Sequence, residues 1–190
     1  MKELHRRSFV QLALSSIPFA VFGAAPTQGV PRSAVPVVRS GEDREGGPPK
    51  RSGTTTYKVL TQDTGGGLFV LEQLHKTIGG PHRHLHHEQD ELFYVVAGEY
   101  VFEIGSERFR LKSGDSVLGP RGIPHAYLFV GDTPGRLLIA YTPAGKMEAF
   151  FRRSAPPLAA DATPQEVTAR TAAAYADYGM QYLGPPLVIE

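Results

Sequence analysis

Between Tyr57 and Tyr141 no apolar run goes far before Gly, Pro or Asp interrupts it. That rhythm limits the fold more than any other feature. A helix needs roughly ten or more uninterrupted residues, whereas a strand needs only about four to eight. The runs predict strands at 57–62, 68–75, 92–97, 100–104, 108–111, 116–118, 126–130 and 136–141. "VAGEYVFEI" reads as two strands joined by a hairpin at Gly98-Glu99, and "EIGSERF" as another turning at Gly105-Ser106. "LKSGDS" and "VGDTPG" supply further turns. Many short strands, regular turns and few helices imply an all-β sandwich or barrel.

Two short helices are predicted after the strands. "GKMEAFFRR" places Met147, Phe150 and Phe151 on one side. In "TPQEVTARTAAAYADYG", Thr163 can cap, Pro164 suits the first helical position and Glu166 completes a capping box. Val167, Thr171, Ala174, Tyr175 and Tyr178 share a face, and Gly179 can end the helix. These helices are expected to pack against the outside of the barrel.

The N-terminal part differs in kind. Residues 1–25 have a basic start, an apolar stretch and small residues after it, the layout of a signal peptide. Arg6-Arg7 ahead of Ser8, Phe9 and Val10 resembles a twin-arginine export signal. The expectation is an exported protein, periplasmic or extracellular, with an uncleaved membrane anchor as the alternative. Residues 26–54 are dense in Pro, Gly, Ser, Arg and Glu and lack an apolar period, so they are expected to form a flexible tether. The domain is then 55–190, long enough for one sizeable core.

The chain has no cysteine, which excludes disulfides, thiolate ligands, iron–sulfur clusters and cysteine nucleophiles. Any metal must be held by nitrogen and oxygen. A net charge of +1 gives no electrostatic reason to expect nucleic acid as a partner. Four of the seven histidines fall at 82, 84, 86 and 87, with Glu91 close behind. Residues i and i+2 of a strand project to one face, so His84 and His86 can point together into a barrel. Glu91 alternates with Phe93 and Val95, which puts a carboxylate at the mouth of an apolar lining. Two imidazoles and a carboxylate suit a metal with open positions. His125, just before a strand in which Tyr127 and Phe129 share its face, can supply a fourth donor.

These residues carry a resemblance. His84, Leu85, His86, four residues, Glu91, six residues and Gly98 are similar to the first sequence motif of the cupin superfamily. Gly114, five residues, Pro120, one residue, Gly122, two residues and His125 are similar to the second. The asparagine that closes the family's second motif is replaced by Phe129, which implies a more apolar pocket floor. The core motifs span 80–98 and 114–129, and the resemblance covers about 57–141. It implies an antiparallel cupin β-barrel of jelly-roll type, with His84, His86, Glu91 and His125 as ligands of one divalent metal ion: Fe, Mn, Ni, Co, Cu or Zn. His82 and His87 do not fit the spacing and read as loop residues or as groups that orient a ligand. His75 reads as structural.

The C-terminal part resembles small cupins described as quercetin 2,3-dioxygenase-like. That implies a metal-dependent dioxygenase acting on a small hydroxylated aromatic or enol compound, with Glu91 as ligand and base. Phe93, Val95, Phe102, Tyr127 and Phe129 are expected to line the pocket. A non-oxidative isomerase or lyase and a non-catalytic binding protein are the alternatives. The partners expected are a small-molecule substrate, and dioxygen if the chain is a dioxygenase. A homodimer is left open.

Overall fold

A computed structural model describes residues 37–50, 54–153 and 161–189. The signal-like segment 1–25 lies outside the described residues. The strands are β1 (Thr55–Val59), β2 (Phe69–His75), β3 (His82–His86), β4 (Asp90–Ala97), β5 (Glu99–Ile104), β6 (Glu107–Lys112), β7 (Ser116–Gly119), β8 (His125–Phe129), β9 (Gly135–Thr142) and β10 (Met180–Pro186). Two helices, α1 (Met147–Arg152) and α2 (Pro164–Asp177), lie between β9 and β10. The strands form two five-stranded sheets, ordered β1-β2-β9-β4-β7 and β10-β3-β8-β5-β6. Every pairing between strands is antiparallel. This is an antiparallel β-barrel of jelly-roll type, as expected.

Alternation builds the core. Along β9, Leu137, Ile139 and Tyr141 are buried and point inward, and along β4 the inward set is Glu91, Phe93 and Val95. One end of the barrel is plugged by aromatic rings: Phe93 packs on Phe102 at 5.1 Å between centroids, and Tyr100 on Phe129 at 5.2 Å. Full burial of such a side chain stabilises the fold by about 1.5–3 kcal/mol. Strand β8 is buried along its whole length. Its outward residues Ala126 and Leu128 are covered by Leu187, which follows β10.

Several sequence expectations are corrected. The Gly98-Glu99 turn is not a hairpin, because β4 pairs with β7 and β9 while β5 pairs with β6 and β8. The chain crosses from one sheet to the other there. Gly98 has a φ of 86°, and a Cβ on it would lie 2.8 Å from Gly135 Cα. The Gly105-Ser106 turn is a true two-residue hairpin, with Ile104 opposite Glu107. The first strand stops at Val59, and Thr61–Thr64 form a 3-10 turn. Asp63 Oδ2 accepts from Leu60 N at 3.0 Å and from Arg44 Nε at 3.1 Å, which pins that turn.

The helices close the barrel's mouth rather than covering its outside. Met147, Phe150, Phe151 and Tyr175 belong to the main core. The capping box of α2 forms as its sequence requires: Glu166 N donates to Thr163 Oγ1 at 3.2 Å and Thr163 N to Glu166 Oε2 at 2.7 Å. Among the described residues no helix is long and apolar enough to cross a membrane. The described part of the expected tether, 37–50, packs on the barrel through polar contacts. Asp43 is 5% exposed and accepts from Tyr57 N at 2.8 Å, and Arg152 pairs with Glu45 at 2.9 Å.

Candidate metal centre

The four predicted residues meet. His84 and His86 come from β3, His125 opens β8, and Glu91 reaches across from β4 in the other sheet. His84 and His125 are direct cross-strand partners, which brings their rings to 4.7 Å between centroids. One donor atom from each of the four lies within 4.8 Å of the others, and all four residues are buried. The two motif segments also hold each other. Gly122 N donates to His86 O at 2.7 Å, and Arg121 Nη2 meets Asp90 Oδ2 at 2.7 Å.

The donors suit a cation. His84 Nδ1 faces the carbonyl of His82 at 2.7 Å, and His125 Nδ1 faces that of Ile123 at 2.9 Å. A carbonyl only accepts, so both Nδ1 atoms carry protons and, in the neutral rings, both Nε2 atoms present bare lone pairs. Those lone pairs point at the Glu91 carboxylate: His125 Nε2 is 2.9 Å from Oε2 and His84 Nε2 is 3.9 Å away. His86 Nε2 is also 2.9 Å from the same oxygen. The His86 Nδ1 atom has no partner among the described residues, so that ring can donate from Nε2, but a bare His125 Nε2 at 2.9 Å from a carboxylate oxygen repels it unless a positive charge sits between them. A proton on His125 meets the need in part, and a divalent ion meets it for all four groups. The donor set therefore fits a metal ion bound by three imidazoles and one carboxylate.

The ionisation pattern agrees. Burial works to raise the Glu91 value, but hydrogen bonds from His125 and His86 outweigh it and hold the carboxyl well below its ordinary range. Burial works to lower His125, and the Glu91 bond overcomes it, so its value rises. For His84, burial dominates and pulls the value down to about 3, leaving a neutral ring ready to donate its lone pair. Tyr141 pairs with Glu91 in the β4–β9 register, and burial and the Glu91 charge keep its hydroxyl protonated.

Two of the four donor residues, His84 and Glu91, line a cavity of about 570 Å³. Of the five pocket residues expected, only Tyr127 lines it. Phe93, Val95, Phe102 and Phe129 lie in the aromatic plug beneath. The cavity instead runs between β2, the β2–β3 connection and the two helices, and Ile139, Tyr141, Phe150 and Tyr175 supply its apolar surface. Tyr175 packs edge-on to His84 at 5.3 Å. His82 orients His84 through its backbone carbonyl. His87 is exposed. His75 lines the cavity.

Sequence reasoning missed Gly119, Tyr141 and Tyr175. The first two face Glu91 by strand register, which no local spacing encodes. The helical face of Tyr175 was legible, but not what it covers.

Residues 70–141 match the profile of the family described as cupin domain. The matched stretch holds all four donor residues, in keeping with the resemblance that its two motifs carry. The chain is 28% identical over 60 residues to the uncharacterized protein MJ1618 of Methanocaldococcus jannaschii, a match covering 32% of this chain and 48% of that protein. The chain thus spans about half the length of the curated relative it matches. It is similar in structure to a predicted oxalate decarboxylase from Thermotoga maritima, with 18% identity and a TM-score of 0.45, covering 47% of this chain and 78% of that one. It is also similar to an RmlC-like cupin from Shewanella frigidimarina, with 20% identity and a TM-score of 0.43, covering 50% and 78%.

Proposed function

We propose that this chain is a metal-dependent dioxygenase of cupin type that cleaves a small hydroxylated aromatic or enol compound. The observation that carries the reading is the donor group of His84, His86, Glu91 and His125, two members of which, His84 and Glu91, line an aromatic cavity of about 570 Å³, which suits a flat molecule. Bound there, a divalent ion supplies Lewis acidity toward a substrate oxygen and, if redox-active, an electron path to dioxygen. Glu91 lines the cavity and takes the proton of the substrate hydroxyl. Tyr141, whose hydroxyl stays protonated beside Glu91, returns a hydrogen bond to the carboxylate. Phe150 and Tyr175 line the cavity and give a flat substrate apolar surface to pack on.

The test is oxygen uptake. Protein loaded separately with iron, manganese, nickel, cobalt or copper is offered catechols, flavonols and enols. Uptake with at least one pair of metal and substrate, lost in Glu91→Gln at full metal content, is the result expected. No uptake in any combination would move the isomerase, lyase or binding-protein readings ahead.

A further inference from the structure

On the inward face of β2 the first residues are Phe69 and Leu71, both 0% exposed. The next two on that face are Gln73 and His75. Two polar side chains thus interrupt an apolar row where it enters the cavity, and burying such groups costs stability unless they are bonded. They are bonded into a chain. Tyr127 donates its hydroxyl hydrogen to Gln73 Oε1 at 2.5 Å, Tyr127 Oη lies 3.4 Å from His75 Nε2, and His75 Nδ1 lies 3.0 Å from the Tyr100 hydroxyl. Burial lowers His75 to about 4, so at neutral pH its ring has one donor and one acceptor nitrogen, as a continuous chain requires. The Tyr127 bond uses the amide oxygen of Gln73. Its amide NH₂ has no protein partner among the described residues, and Gln73 lines the cavity.

We infer that Gln73, His75 and Tyr127 form a second binding element in this cavity, which takes a neutral hydrogen-bonding oxygen of the substrate remote from the His84, His86, Glu91 and His125 group. The inference rests on the reading of the cavity as a substrate site. The Gln73 amide donates to that oxygen, and the chain through Tyr127 and His75 to fully buried Tyr100 holds the amide in place. Tyr127, which holds the Gln73 amide, sits one inward step along β8 from His125, about 7 Å along the strand. A flat molecule that reaches both ends therefore carries two separated oxygenated positions. A phenol or ketone suits the far end, because no charged group belongs to the chain.

The experiment uses zinc-loaded protein, which binds without turnover, and three probes: 3-hydroxyflavone and its 4′-hydroxy and 7-hydroxy derivatives. Dissociation constants are read by fluorescence for wild type, Gln73→Leu and Tyr127→Phe, with circular dichroism melts confirming each fold. At least one hydroxylated probe should bind wild type about fivefold to tenfold tighter than 3-hydroxyflavone, the worth of one neutral hydrogen bond. Both variants should reduce that advantage, taken as the ratio to each variant's own 3-hydroxyflavone constant, to within about twofold. An advantage that survives both variants, equal binding of all three probes by wild type, or no binding of any probe would each overturn the inference. The dioxygenase reading is judged separately, on oxygen uptake.

Discussion

Gly119 lies on β7 directly opposite Glu91, and His125 occupies the space a side chain there would fill. A Cβ at this position would stand 3.1 Å from His125 Nδ1 and 3.3 Å from its Cε1 and Cγ. Ordinary contact lies at about 3.5–4.0 Å, so something must move by a few tenths of an ångström. The ring is poorly placed to yield. Its Nδ1 is bonded to the Ile123 carbonyl at 2.9 Å, and it stacks on His86 at 5.5 Å and 14°. Gly119→Ala should therefore shift His125 Nε2 away from the point where the four donors meet. Disturbing a group that orients a ligand typically costs about 10- to 100-fold in metal affinity, or about 1.4–2.8 kcal/mol. The fold should lose little, because Gly119 is not among the glycines with positive φ and alanine restricts the unfolded chain more than glycine, worth about 0.4–1 kcal/mol. Competition against a fluorescent chelator reads the affinity, and thermal melts of metal-free protein read the fold. Wild-type affinity in the variant would refute the reasoning. So would a loss of apo stability larger than the loss of binding energy.

Other outcomes follow from the same structure. Leu71→Ala, at a site 0% exposed, should cost about 2–5 kcal/mol in urea unfolding, whereas His84→Ala should leave the barrel folded and lose metal. Asp43→Ala should cost about 1–3 kcal/mol, because it leaves the Tyr57 N–H without its acceptor; a neutral result would mean that 37–50 is not held as described. Burial lowers His75 from 6.5 to about 4, so the unfolded chain binds a proton below about pH 6.5 that the folded chain refuses until about pH 4. Its contribution is thus present above pH 6.5 and lost as pH falls through that window, by up to about 3 kcal/mol. Urea unfolding of His75→Gln should show a shallower acid slope than wild type.

The four donor positions were legible because their spacing is local. Alternation puts His84 and His86 on one face, and the turn at Pro120 and Gly122 delivers His125. What joins the two segments is the His84–His125 register, a long-range pairing that only the resemblance anticipated. Strand β10 was missed because Gly184, Pro185 and Pro186 break its pattern. It is an edge strand, where proline removes no needed ladder bond. The helix periodicity identified the apolar faces of α1 and α2 but not what they cover, so the closed mouth of the barrel was not foreseen. The pocket was misplaced for a related reason. Inward-facing aromatic residues can plug a barrel or line it, and Phe93 and Phe102 plug it.

The central claim is that His84, His86, Glu91 and His125 together hold one metal ion. Elemental analysis of protein purified from its own host, beside His84→Ala, His125→Ala and the double variant prepared identically, tests it most directly. Wild type should carry about one equivalent of a divalent ion per chain and each variant less than about a tenth of that, with circular dichroism unchanged. A folded double variant that retains the full equivalent, or a wild-type chain that holds no divalent ion even after incubation with each candidate metal, would contradict it.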